Sequence, residues 1–128
     1  MKHPFALSKK KLIVLATIKG IETEKSFKFI LDTGASKSII DESVAISLGF
    51  DLKKLESERL TTIGGGKNSK KLKLPTFSLF GKDMSDFEVN VLEIPYQITF
   101  FAEGLIGMDF LLQFKDIKFD FVEKTIEI

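Results

Sequence analysis

Apolar side chains recur at every second position over residues 25–31, where Phe27, Phe29 and Leu31 alternate with Lys28 and Ile30. A period of two puts one face of a strand against a core. Just upstream, residues 11–19 carry Leu12-Ile13-Val14-Leu15-Ala16-Thr17-Ile18, a β-branched run that fits a second, buried strand, with Gly20 to Glu24 as the turn between them. The pattern breaks at Asp32-Thr33-Gly34-Ala35-Ser36 and returns briefly at Ser38-Ile39-Ile40. Asp41 is placed to cap a short helix through Leu48, with Gly49 just past its end. Residues 57–63 and 70–80 read as the strands of a hairpin whose tip, Ile63 to Ser69, contains Gly64-Gly65-Gly66. Gly81-Lys82-Asp83 forms another turn, and Phe87, Val89 and Val91 alternate with Glu88 and Asn90 in the next strand. Pro95 to Glu103 reads as a loop with exposed aromatics. Gly104-Leu105-Ile106-Gly107 leads into a helical run from Met108 to Phe114, and residues 116–121 and 124–128 close the chain as a hairpin. Met1 to Ser8 finds no partner strand in this pattern. The sum is a mainly β protein with one or two short helices, and the close spacing of strands and turns suggests a small barrel-like or sandwich fold.

Composition narrows the chemistry. The 128 residues suit one domain, 1–128, and 44% hydrophobic content supplies a core. A net charge of +1 gives no reason to expect nucleic acid or an anionic membrane as a partner. There is no cysteine, which removes disulfides, thiolate catalysis and cysteine zinc sites. The one histidine, His3, lies beside Met1, so a Ser-His-Asp triad or a histidine metal site would have to be built from a terminus. No metal and no cofactor is expected. Lys9-Lys10-Lys11 followed by an apolar stretch imitates a signal peptide, but Lys19 follows directly and no small-residue cleavage site comes next. The stretch is also too short to span a bilayer. A soluble, cytoplasmic protein is the expectation.

The strongest chemical signal is a hydrophobic strand that ends in Asp32-Thr33-Gly34. Phe29-Ile30-Leu31 before it and Ala35-Ser36 after it put the carboxylate in a tight loop at a strand end, where Gly34 lets the backbone turn. An ordinary turn aspartate bonding its own backbone would look the same in isolation. Two more features accompany it: Leu105-Ile106-Gly107 before a short helix, and the glycine-rich hairpin tip. The tip is not a phosphate loop. Walker A needs a glycine where Thr61 stands and Ser or Thr where Asn68 stands.

Taken in order, Leu-Asp-Thr-Gly-Ala-Ser, a glycine-tipped hairpin, and Leu-Ile-Gly plus a helix resemble the retropepsin-like aspartic proteases, from about residue 11 onward. Bacterial single-domain members of that family also commonly end in a Gly-Met-Asp-Phe-Leu-like helix followed by a hairpin, here Phe119-Asp120-Phe121 to Ile128. The resemblance implies a closed or partly open acid-protease barrel. It matches Asp32 to the catalytic aspartate, Thr33 to the residue that grips a partner loop across a two-fold axis, and Gly34 to a glycine that contacts substrate. The resemblance also places Ala35 and Ser36 beside the substrate. Ile63, Gly64, Gly65, Gly66 and Lys67 match the flap tip, and Leu105, Ile106 and Gly107 match the hydrophobic support of the loop. The chain departs from viral members at Ser36 and Met108, where those carry an acid and an arginine that pair. With both absent, the loop must be braced differently.

Aspartic proteolysis uses two carboxylates sharing one proton. The sequence contains a single Asp-Thr-Gly, so the second carboxylate is expected from Asp32 of an identical chain in a homodimer. The expected activity is hydrolysis of peptide or protein substrates held under flaps. The alternative is a peptide-binding or assembly module of the same fold with little or no catalysis. Thr125-Ile126-Glu127-Ile128 is read as an edge strand open to pairing with the second chain.

Overall fold

β3 (Lys11–Lys19) and β4 (Glu24–Leu31) form the antiparallel pair that their alternation predicts, with Val14 opposite Phe29 and Ala16 opposite Phe27. The computed structural model describes residues 1–62 and 65–128, without the side chain of Thr62. Its elements run β1 (Lys2–Pro4), β2 (Ala6–Ser8), β3, β4, β5 (Ile39–Asp41), α1 (Glu42–Ser47), β6 (Glu56–Thr62), β7 (Gly65–Leu79), β8 (Lys82–Leu92), α2 (Tyr96–Thr99), β9 (Gly104–Ile106), α3 (Met108–Leu111), β10 (Lys118–Asp120) and β11 (Thr125–Glu127). Eight strands make one sheet in the order β2-β3-β4-β9-β5-β8-β7-β6. β7 pairs with β3 as well, through Thr76 to Ser78, which curls the sheet back on itself as a partly closed barrel.

The core lies inside that curl. Phe77 is fully buried and packs its ring against Phe29, Phe87 and Phe110 at 5.7, 5.1 and 5.4 Å between centroids. These tilted and edge-on arrangements suit the ring quadrupoles. The helix expected after Asp41 is present, and Asp41 caps it by accepting the Ser43 N–H at 3.1 Å. The other oxygen of Asp41 accepts the Ile94 N–H at 2.8 Å, which fastens α1 to the far end of β8. A second, smaller apolar cluster of Ile13, Ile30 and Ala102 lies apart from the main core, with Ile98, Phe101 and Leu105 against it. Ile30 therefore points away from Phe29 and Leu31 yet is also buried.

Several elements differ from the sequence pattern. β7 starts at Gly65 rather than residue 70, and its pairing with β6 continues out to Thr62 opposite Gly65. Backbone ladders need no apolar face, so hydrophobic periodicity could not mark this extension. One helical turn, α2, occupies part of the expected loop after Pro95, too short to leave a 3.6-residue period. The closing hairpin is shorter than expected, and Asp120 caps its turn by accepting the Val122 and Glu123 N–H groups at 3.0 and 2.9 Å. Those donors, the Glu123 N–H foremost, hold the Asp120 carboxyl below the ordinary aspartate range. Finally, Met1 to Ser8 does have partners. β1 pairs with β11 and β2 with β3. β11 is thus the middle strand of a three-stranded sheet, β1-β11-β10, and not the open edge expected from its sequence. Strands of three residues drawn from opposite chain ends have no local turn to announce them. Among the described residues, no helix is long and apolar enough to cross a membrane.

Candidate active site

β4 delivers Asp32. Its last residues, Phe29 to Leu31, pair in parallel with Gly104 to Ile106 of β9, and the ladder carries on one step as the Asp32 N–H donates to the Ile106 carbonyl at 2.8 Å. The chain then turns sharply. The Gly34 N–H donates to Asp32 Oδ1 at 2.9 Å and the Ala35 N–H to the Asp32 carbonyl at 3.2 Å. The carboxylate is half-buried, while Thr33, Gly34 and Ser36 are exposed. Among the described residues Oδ2 takes no hydrogen bond, so one oxygen is committed to the loop and the other is free.

The loop is held from beneath. Ile106 is fully buried, its backbone tied to Asp32. Gly107 is buried where no side chain fits: a Cβ there would lie 2.7 Å from the Ala35 carbonyl oxygen and 2.9 Å from the Lys37 carbonyl carbon. Gly104 is equally confined, with Phe29 on one side and the Ile39 carbonyl on the other. Leu105 points the other way, half-buried, into the smaller apolar cluster.

The brace that replaces an acid–arginine pair is a serine and an aspartate. Ser38 is buried and donates both its N–H and its hydroxyl to the Asp109 carboxylate, at 2.9 and 2.8 Å. Its hydroxyl oxygen accepts the Gly107 N–H at 3.0 Å. The Met108 N–H donates to the Ala35 carbonyl at 2.8 Å and the Asp109 N–H to the Ser36 carbonyl at 3.2 Å. Met108 thus contributes through its backbone what a charged side chain would otherwise supply. Neither Ser38 nor Asp109 stands out in the sequence, because each gains its role from a contact 71 positions along the chain.

One cleft of about 700 Å³ gathers Asp32, Gly34, Ala35 and Ser36 with Leu105, and brings them opposite Arg59, Leu60 and Thr61 of β6. The β6–β7 hairpin therefore overhangs the Asp32 loop. Gly65 and Gly66 are exposed near its end, and Ile63 and Gly64 lie outside the described residues. Lys37, Arg59, Leu60 and Thr61 line the cleft without having been singled out, since nothing in their own sequence marks a cleft wall.

A polar cluster joins this hairpin to the loop. The buried Asn90 donates from Nδ2 to Glu58 Oε1 and to Ser69 Oγ, both at 3.0 Å, and its N–H donates to the Ser38 carbonyl at 3.1 Å. Lys37 reaches Glu88 at 3.1 Å and Glu58 at 3.8 Å, while Lys71 reaches Glu58 at 3.6 Å. The Asn90 amide foremost holds the Glu58 carboxyl below the ordinary glutamate range, against the opposing effect of burial, and Lys37 and Lys71 add to the lowering.

The sequence of residues 14–110 matches the family model described as aspartyl protease. The chain belongs to the aspartyl protease family. No curated protein matches it. Among solved structures, this aspartyl protease family member resembles a retropepsin-like aspartic protease from Rickettsia conorii, with TM-score 0.69 and 22% identity over 98% of this chain and 87% of the other. It also resembles EIAV protease in complex with the inhibitor HBY-793, with TM-score 0.60 and 21% identity over 82% of this chain and 88% of that one. The family member thus has the retropepsin fold.

Proposed function

We propose that the protein is an aspartic endopeptidase subunit whose site forms when two Asp32 carboxylates meet across a two-fold axis. The observation that carries this reading is the Asp32 loop itself. One carboxylate oxygen is pinned by Gly34, the other is free, and the loop faces a cleft of about 700 Å³. One such carboxylate cannot act as both base and acid. The reaction needs an ionised partner to take a proton from the attacking water and a protonated one to hydrogen-bond the developing oxyanion. A second copy supplies the missing group, related by symmetry.

In this assembly Thr33 grips the opposite loop, and Gly34, Ala35 and Ser36 line the substrate path. Gly65 and Gly66, with Ile63 and Gly64, close over the peptide, which adds to the hairpin by backbone pairing. Leu105, Ile106 and Gly107 hold the loop from behind. Peptide hydrolysis is expected to be strongest at mildly acidic pH and to be blocked by statine-type inhibitors. The test compares wild type with Asp32→Asn on a peptide library across pH, alongside sedimentation to find the oligomeric state. Cleavage by the wild type alone, from a dimer, is the expected result. Equal cleavage by both proteins, or full activity from a strict monomer, overturns the proposal.

A further inference from the structure

The lysine triplet beside the candidate active site remains without a task in the reading above. Ser8 pairs with Lys11, so Lys9 and Lys10 form the two-residue turn between β2 and β3. Both have positive φ, 46° and 65°. A two-residue hairpin turn of this kind ordinarily takes Asn or Gly, because a Cβ is disfavoured there. Two successive lysines in left-handed conformation are an uncommon choice for such a turn.

Those side chains face the site. Lys10 and Lys11 line a concavity of about 390 Å³ together with Asp32, Leu31, Ile98 and Leu105. Lys9 and Lys11 line the adjoining one with Tyr96, Phe100 and Phe101. Lys11 lines both. The Lys9 ammonium lies 5.4 Å from the Phe101 ring centroid, and Tyr96 and Phe100 are 74% and 71% exposed. Among the described residues every ion pair involves Lys37 or Lys71, and Lys9, Lys10 and Lys11 join none. The protein as a whole carries a net charge of only +1, so these cations are a local concentration and not a general excess.

Resting on the proposed peptidase reading, we infer that Lys10 and Lys11 make the protein selective for peptides with acidic side chains close to the scissile bond, flanked by aromatic or apolar ones. A concavity of that volume is about two residues of extended chain across, at roughly 3.3 Å per residue. The acid therefore belongs about two or three residues from the bond that is cut. In a two-fold assembly the same rim recurs on the opposite side, so acids are favoured on both sides of the cut.

The test uses a series of peptides identical except for Glu, Gln or Lys at those positions. With wild-type protein at low salt, kcat/KM for the Glu peptide should exceed that for the Lys peptide by about tenfold or more, and added salt should shrink the ratio. Lys10→Glu with Lys11→Glu should invert the ranking, and Lys10→Gln with Lys11→Gln should flatten it while leaving the turn and the fold intact. A wild-type ratio near one, or the same ranking in all three proteins, overturns the inference. If no peptide is cut, the peptidase reading fails separately. Anisotropy of the same labelled peptides on Asp32→Asn protein then decides the inference, and tighter binding of the Glu peptide that is lost in the lysine variants upholds it. Equal binding of Glu and Lys peptides, or stronger binding of single-stranded DNA than of any peptide, refutes it.

Discussion

Asp109 accepts both donors of Ser38, the N–H at 2.9 Å and the hydroxyl at 2.8 Å, and so ties the loop that carries Asp32 to the first turn of α3. The Ser38 hydroxyl also receives the Gly107 N–H, which makes a relay of three groups. Ser38→Ala leaves the buried Gly107 N–H without an acceptor, a loss of roughly 1–3 kcal/mol. Asp109→Ala should cost a similar amount. Because the two act through one contact, the double variant should lose clearly less than the two single losses combined, as urea denaturation would show. Additive losses would separate the two residues.

Gly104 behind the loop should be irreplaceable, and Gly65 in the hairpin tolerant of a Cβ in space though not in backbone. A Cβ on Gly104 would collide with Phe29 Cε1 and sit 2.5 Å from the Ile39 carbonyl oxygen, which belongs to a paired strand and cannot yield. Gly104→Ala should therefore destabilise by about 1–3 kcal/mol or more. Among the described residues a Cβ added at Gly65 would meet nothing within 4 Å, so the steric cost of Gly65→Ala should be small and the strain of its φ of +111° should remain. Thermal melts of the two variants should differ accordingly.

Phe77 stands at the centre of the ring contacts and is fully buried. Phe77→Ala should cost about 3–5 kcal/mol, with loss of the native near-ultraviolet signal at lower denaturant. Phe77→Leu should recover much of that loss.

Glu58 gives the hairpin a pH dependence. Its carboxyl is held below the ordinary value of 4.5 by Asn90 first and then by Lys37 and Lys71. A depressed carboxyl adds stability that is complete above its unfolded value and lost as pH falls through the folded one. Wild type should therefore exceed Glu58→Gln in stability near neutral pH, and the gap should close below the ordinary glutamate range. Melting temperatures of the two proteins across an acid titration test this. A gap that stays constant, or widens with acid, would contradict it.

Much of this molecule is legible from side-chain patterning alone. The β3–β4 pair, the Asp41-capped helix and the Asp32 turn follow from alternation, a capping residue and a glycine, all local in the chain. What escapes is whatever depends on partners far along it. Asp109 looks like one aspartate among several until Ser38 is brought to it. β1 and β2 carry no strand signal of their own because each is three residues long. The long reach of β7 past Ser69 is polar, and Lys9-Lys10 reads as part of a charged run until the turn geometry is known. The smaller apolar cluster was hidden because Ile30 occupies the position where alternation calls for a polar residue.

The placement of β9 bears on how the protein is made. It is inserted between β4 and β5, strands that leave the ribosome some seventy residues before it, as the 71-residue separation of Ser38 and Asp109 reflects. Until Gly104 to Asp109 have emerged, the nascent chain has its Asp32 turn but not the backing that Ile106, Gly107 and Asp109 supply. Closure of the sheet then depends on a long-range docking event, a kind of contact that slows folding. Chains that stop short of these residues are therefore expected to leave the Asp32 loop without its brace.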